Sequence, residues 1–201
     1  KKSSSIEIHE GQALIKVAAT YSTIYSILLE LIQNSLDANA SKIWITINQK
    51  IFSITSMDNG EGVSEDTFNL ALKSVFESIK SKGKLGRFGI GMISPLGKCT
   101  SFTFTSCSSD SKNKFNEWEF VTADIRKQRS DITIPCVTRS EISFNPSRAK
   151  KEKSRFVDWR TMVKIKGFAA RKAMTSFLPE KLEREVLSRF SQSMRKLGAR
   201  I

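Results

Sequence analysis

A helix-patterned segment that hands over to two alternating segments and a glycine-punctuated turn limits the fold more than any other feature. Between Thr20 and Ala38, apolar residues recur at three- and four-residue spacing: Ile24, Ile27, Leu28, Leu31, Ile32 and Ser35 or Leu36. That spacing lays one apolar stripe along an α-helix. Alanine, leucine and glutamate favour the helix, and Asn39 just past it accepts a left-handed stop. KIWITIN (42–48) and IFSITSMD (51–58) then alternate apolar with polar residues, and Asn48-Gln49-Lys50 suits a tight connection between them. The predicted hairpin runs into Asp58-Asn59-Gly60-Glu61-Gly62, residues that end strands.

The rest of the chain extends this pattern. Ser64 caps a short predicted helix carrying Phe68, Leu72, Val75 and Phe76. Residues 77–91 are polar, basic and glycine-rich, and read as a loop ending in a second helix start near Gly91. TSFTFTS (100–106) and NEWEFVTADI (116–125) read as strands joined by a polar turn at 108–113. ITIPCVTR (132–139) is a further strand, which Pro135 assigns to a sheet edge. RTMVKIKGF (160–168) alternates as a strand, and Pro179 opens a closing amphipathic helix with Leu182, Val186, Phe190, Met194 and Leu197 on one face. The crossovers are too irregular for repeated βαβ units. The expected class is α+β, a two-layer α/β sandwich with a mostly antiparallel mixed sheet covered by helices on one face.

At 201 residues the chain has the length of one domain, expected to span 1–201 with its core at about 20–168 and a terminal helix at about 179–198. It starts with Lys rather than Met, which suggests a processed, trimmed or excised piece, and it is expected to be the N-terminal part of a longer protein. No run of about 18 apolar residues occurs, so no membrane helix is expected. Cys99, Cys107 and Cys136 are odd in number and lack CxxC spacing, and with His9 the sole histidine they make a four-ligand zinc site improbable. They read as reduced thiols of a cytoplasmic protein, or a nuclear one in a eukaryote. The net charge of +13 is uneven. Residues 1–100 hold 11 Lys/Arg against 9 Asp/Glu, and residues 101–201 hold 22 against 11. The basic residues within 126–172 are a candidate nucleic-acid contact, weighed against a solvated lysine-rich loop.

Three segments put polar groups where a core wants apolar ones. In ELIQNSLDANA (30–40), Glu30, Asn34 and Asp37 share one helix face at i, i+4 and i+7, expected to be partly buried. Asn34 offers a neutral oxygen to Mg²⁺, and Glu30 one turn away can orient and deprotonate a water. In Asp58-Asn59-Gly60-Glu61-Gly62 the aspartate can accept a hydrogen bond from an exocyclic amine such as that of adenine, and the glycines let a flat ring approach the backbone. In Gly86-Arg87-Phe88-Gly89-Ile90-Gly91-Met92, backbone N–H groups near a helix start form an anion cradle. Read singly, each segment is equally a polar helix face, a turn or a loop. No GxxxxGK[ST] phosphate loop occurs.

In this order and spacing the three segments closely resemble the GHKL superfamily, which spans DNA gyrase B subunits, heat-shock chaperones, sensor histidine kinases, MutL and MORC proteins. ELIQNSLDANA resembles its N box, DNGEGV (58–63) its first glycine box and GRFGIGM (86–92) its second. RTMVKIKGF resembles the late segment whose threonine helps hold the adenine-contacting aspartate, with Thr161 in that position and Arg160 in place of the usual glycine.

The resemblance implies the Bergerat ATP-binding fold and a Mg²⁺-dependent ATPase whose nucleotide closes a homodimer. It implies Glu30 as general base, Asn34 as Mg²⁺ ligand and Asp58 as adenine acceptor supported by Thr161. Gly60 and Gly62 would line the adenine side, and Gly86, Phe88, Gly89, Ile90 and Gly91 the phosphate side, with 77–91 as a lid. Asp37, Ala38, Val63, Arg87 and Met92 would also contact ATP, and Lys82 or Lys84 would touch the γ-phosphate. Sensor kinases resemble Asn-x-x-x-Asn in the first box, so Glu30 favours hydrolysis over phosphotransfer, and His9 is a poor phosphoacceptor. The wording is nearest to MORC, MutL and chaperone members. The alternative is a non-catalytic nucleotide- or nucleic-acid-binding module that uses the basic second half.

Overall fold

The computed structural model describes residues 9–20, 23–80, 90–108, 114–129, 132–140, 159–169 and 174–200. In chain order the elements are α1 (Glu10–Ala18), α2 (Ile24–Asp37), β1 (Ile43–Asn48), β2 (Ser53–Asp58), α3 (Glu65–Lys80), α4 (Ile90–Ile93) and a 3₁₀ turn (Ser94–Gly97). They continue with β3 (Ser101–Ser106), β4 (Lys114–Val121), α5 (Thr122–Lys127), β5 (Cys136–Ser140), β6 (Thr161–Lys166) and α6 (Pro179–Leu197). The strands form one sheet in the order β1-β2-β6-β3-β4-β5, and every neighbouring pair is antiparallel. The sandwich class stands, and among the described strands the sheet is antiparallel rather than mixed.

Strand register sorts the inward residues into rows. Ile54, Ile165, Phe102 and Phe120 lie side by side, as do Ser56, Val163, Phe104 and Trp118. These rows meet the apolar stripe of α2 (Ile24, Ile27, Leu28, Leu31) and the inner face of α3 in one core. Phe68 stacks on Trp118 with ring centroids 3.9 Å apart, and Phe102 stacks on Phe120 at 4.2 Å. The opposite face carries rows such as Thr55, Lys164, Thr103 and Glu119. Alternation with period two thus gives the sheet an apolar inner face and an outer face on which polar rows alternate with the buried Met57 and Met162.

Local chemistry fixes α2. Thr23 Oγ1 accepts from Ser26 N at 3.0 Å while Ser26 Oγ accepts from Thr23 N at 3.2 Å, a reciprocal cap of the kind that contributes about 1 kcal/mol. At the other end Asn39 adopts φ 58°, as its position after the helix predicts. The α6 helix ends on Gly198 at φ 61°. The chain then meets the sheet edge: Ile43 N donates to Arg200 O at 2.9 Å and Arg200 N to Ser41 O at 3.0 Å. The result is a parallel bridge between Lys42 and Arg200.

Several boundaries differ from the sequence reading. The α3 helix runs on to Lys80, so 77–80 are helical, and 81–89 lie outside the described residues. The β4 strand stops at Val121, and TADIRK is helix rather than strand. Thr122 turns the chain by donating from its hydroxyl to Cys99 O at 2.8 Å and from its N–H to Thr100 O at 3.0 Å. The edge strand β5 begins after Pro135, so the proline precedes the ladder instead of interrupting it. The α1 helix has no counterpart in the sequence reading. No helix among the described residues is long and apolar enough to cross a membrane.

Candidate nucleotide site

The inward rows change character at one end of the sheet. Beyond the two apolar rows comes Asp58, Thr161, Ser106 and Asn116, all in register. Burial without hydrogen bonds would be costly for these groups. Asp58, Thr161 and Ser106 are satisfied by one another, by α2 or by the turn after β2, and Asn116 Oδ1 accepts from Thr138 Oγ1 at 2.8 Å. Ser106 Oγ lies 3.0 Å from Thr161 Oγ1 and accepts from Val63 N at 2.8 Å. Asp58 Oδ1 accepts from Gly60 N at 2.9 Å, and Asp58 Oδ2 accepts from Ser35 Oγ at 2.9 Å. Arg160 N donates to Asp58 O at 2.7 Å.

The turn is clamped to the end of α2 as well. Glu61 N donates to Ala38 O at 2.8 Å, and Asn39 Nδ2 donates to Glu61 Oε1 at 2.7 Å. Asn59 Oδ1 accepts from the N–H groups of Ser41 and Lys42. Gly60 has no room for a side chain, since a Cβ there would stand 2.6 Å from Ala38 O. Gly62 sits at φ 71° with its Cα against Cys107 O. Both glycines are required by close approach, and Gly62 by its left-handed backbone also.

These elements enclose a cavity of about 70 Å³ lined by Asn34, Ala38, Asp58, Val63, Met92 and Thr161, with Ser35, Ser56 and apolar neighbours behind them. Asp58 is 6% exposed, and burial pushes its carboxyl above the ordinary carboxylate range. The Gly60 N–H and the Ser35 hydroxyl pull in the opposite direction without cancelling that effect.

Glu30 is half-buried, and its carboxylate lies against Cα of Gly91, where a Cβ would collide with Oε2. Asn34 and Asp37 are exposed, so the expected burial of the polar stripe holds only for Glu30. Asn34 nonetheless reaches the cavity rim, whereas Asp37 is not among the lining residues. Ile90 opens α4 and Gly91 is buried within it.

Lys84, Gly86, Arg87, Phe88 and Gly89 lie outside the described residues, as do Arg148, Lys150, Lys151, Lys153, Arg155, Arg171 and Lys172, half of the basic residues within 126–172. Thr161 faces Asp58 across the β2–β6 pair, but its hydroxyl bonds Ser106. The groups holding the Asp58 carboxylate are Ser35 and the Gly60 N–H. A larger cleft of about 770 Å³ between β1 and α6 contains none of the candidate residues.

Residues 21–154, more than half of the chain, match the model of the histidine kinase-, DNA gyrase B- and HSP90-like ATPases. The chain belongs to this GHKL ATPase family. It is 31% identical over 147 residues to the DNA mismatch repair protein MutL of Thermosipho melanesiensis, covering 69% of this chain and 27% of that one. It is 30% identical over 156 residues to MutL of Pseudothermotoga lettingae, covering 71% of this chain and 28% of the relative. The chain thus spans little more than a quarter of the length of these relatives.

Two groups of this GHKL domain, Ser35 and Ser106, escape a motif-based reading. Each carries a signal of its own. Ser35 interrupts the apolar stripe of α2, and Ser106 ends the inward series Phe102, Phe104. A polar side chain at an inward position needs a partner, and both point to Asp58 and Thr161.

Proposed function

We propose that the domain binds ATP with Mg²⁺ and hydrolyses it, and that the nucleotide state governs association with a second copy. The observation that carries this reading is the gathering of Asn34, Asp58, Val63, Met92 and Thr161 around one cavity, with Glu30 against Gly91 beside it. Asp58 accepts the exocyclic amine of adenine, and the row Thr161–Ser106–Val63 fixes the turn on which the base rests. The cavity takes the edge of the base, and the triphosphate extends outward past Asn34.

The donor set fits a magnesium ion brought in by the nucleotide. Among the described residues no three His, Cys, Asp or Glu side chains gather to hold a metal alone, while Asn34 presents a neutral, exposed amide oxygen. A hard cation of this kind takes one or two protein oxygens and completes its shell with phosphates and water. When bound it neutralises phosphate charge. Glu30 orients the attacking water and takes its proton, and its partial burial beside Gly91 limits competing solvent.

Calorimetry with ADP and Mg²⁺, on the wild type and on Asn34→Ala and Asp58→Ala, tests the binding half. Loss of binding in both variants is expected, and full binding by Asp58→Ala defeats the assignment of the base pocket. Steady-state phosphate release tests the catalytic half, and gel filtration with a non-hydrolysable ATP analogue tests the association.

A further inference from the structure

Ser35 is 3% exposed, and its single hydroxyl proton faces two acceptors: Leu31 O at 3.0 Å and Asp58 Oδ2 at 2.9 Å. A hydroxyl has one proton to give, so it cannot serve both acceptors at full strength. The conflict disappears when Asp58 Oδ2 carries a proton. Asp58 then donates to Ser35 Oγ, and Ser35 donates to Leu31 O. The other carboxyl oxygen keeps the Gly60 N–H in either state. With Asp58 ionised, Ser35 gives its proton to Oδ2, and Leu31 O is left with its helical partner alone.

Among the described residues, Asp58 is the one ionisable side chain that lines the cavity. The ionisable groups on neighbouring segments are Glu30 and Asp37 on α2, Glu61 in the turn, Lys42 before β1, and Arg160 and Lys164 on either side of Thr161. Glu61 is held by Asn39. Among the described residues, burial raises the Asp58 carboxyl, and the Gly60 N–H and the Ser35 hydroxyl act against it.

We propose that Ser35 is a positioning residue that shares a proton with Asp58 in the empty pocket, so that on the acid side of the Asp58 titration seating a 6-aminopurine releases that proton. The proposal rests on the reading of Asp58 as base acceptor. The proton leaves Asp58 Oδ2 for solvent, Ser35 turns its hydroxyl onto the carboxylate, and no other bond changes. A 6-oxopurine presents an acceptor where adenine presents a donor, so it is matched by the protonated carboxyl. The preference for 6-amino over 6-oxo purines therefore falls as the solution becomes more acid.

The test is calorimetry of Mg-ADP and Mg-IDP across a pH series, in two buffers of different ionisation heat, on the wild type, Ser35→Ala and Ser35→Thr. On the acid side of its inflection the wild-type affinity for ADP falls by about tenfold per pH unit, the slope of one proton. The binding heat there depends on the buffer. Ser35→Ala moves the inflection to higher pH because the carboxylate loses a donor, and Ser35→Thr returns it. Titration of the ligand's own phosphate is common to all three proteins and cancels in the comparison. A wild type that binds ADP with no buffer-dependent heat overturns the proposal, as does a Ser35→Ala loss equal at every pH. A wild type that binds no ADP at any pH defeats instead the reading of Asp58 as base acceptor.

Discussion

The Glu30 carboxylate rests against Cα of Gly91, so two motifs sixty residues apart in sequence meet with no space for a methyl group between them. Glycine at 91 is therefore a requirement of Glu30's position rather than of backbone conformation. Gly91→Ala should displace the Glu30 side chain and cost about 1–3 kcal/mol, the usual range for overpacking. Phosphate release should fall by at least about tenfold, because about 1.4 kcal/mol of lost transition-state stabilisation has that effect. Thermal unfolding and steady-state turnover on the same preparation separate the two effects. Unchanged turnover would mean that Glu30 takes no part in the reaction.

Glu30→Gln keeps the shape and removes the base. Mg-ADP affinity should stay within about threefold of wild type, while hydrolysis falls by about 10²–10⁴-fold, the span expected for a lost general base. Equilibrium binding and single-turnover hydrolysis measure the two. Hydrolysis at the wild-type rate would remove Glu30 from the mechanism.

The raised pKa of Asp58 has a consequence for stability. Its ordinary value is 3.8, and burial lifts it in the folded chain. An acid that holds its proton more tightly when folded contributes stability that is full below the unfolded value and is lost as pH rises through the folded value. Asp58→Asn keeps an acceptor for the Gly60 N–H and a donor for Ser35, and it cannot ionise. At neutral pH the variant should melt at or above the wild-type temperature while binding no adenine nucleotide. Below the ordinary carboxylate value the two melting temperatures should converge. A variant less stable than wild type at neutral pH would contradict this.

Phe68 is fully buried against Phe104, Trp118 and Phe120. Phe68→Ala should lower stability by about 3–5 kcal/mol, as expected for an aromatic cavity in a packed core. Urea unfolding monitored by tryptophan fluorescence gives the value, and a loss under about 1 kcal/mol would mean that the core collapses around the gap.

The elements with strong periodicity were legible in the sequence: α2 from its stripe, β1 and β2 from alternation, α6 from its amphipathic face. The α1 helix was not. Its buried residues are Gly11, Leu14 and Ala18, of which two scarcely register as apolar, and no side chain caps its start. Gly11 is buried because α5 lies directly on it, with Ile125 O where a Cβ would be. That contact arises only once the chain is folded. In the same way Val121, Thr122 and Ile125 look like strand residues, and the turn into α5 depends on carbonyls contributed by Cys99 and Thr100. Tertiary partners of this kind override local preference. At the site, spacing singled out Asp58, Asn34 and Glu30 as candidates, and the fold brings Asn34 and Asp58 to one cavity with Glu30 against Gly91. Ser35 and Ser106 gave only the signal of a polar residue at an inward position, because which carboxylate or hydroxyl each one faces is decided by the fold.

The bridge between Lys42 and Arg200 covers the start of an edge strand. An open sheet edge is a template for unwanted pairing with other chains. Arg200 occupies the first outward-facing groups of β1, Ser41 O and Ile43 N, and Val186 of α6 packs in one cluster with Ile43. The turn at Gly198 that delivers Arg200 to this edge thus acts as a guard against aggregation. A chain cut before Gly198 would free Ser41 O and Ile43 N at the start of this edge, and light scattering on gentle warming should rise relative to the full chain.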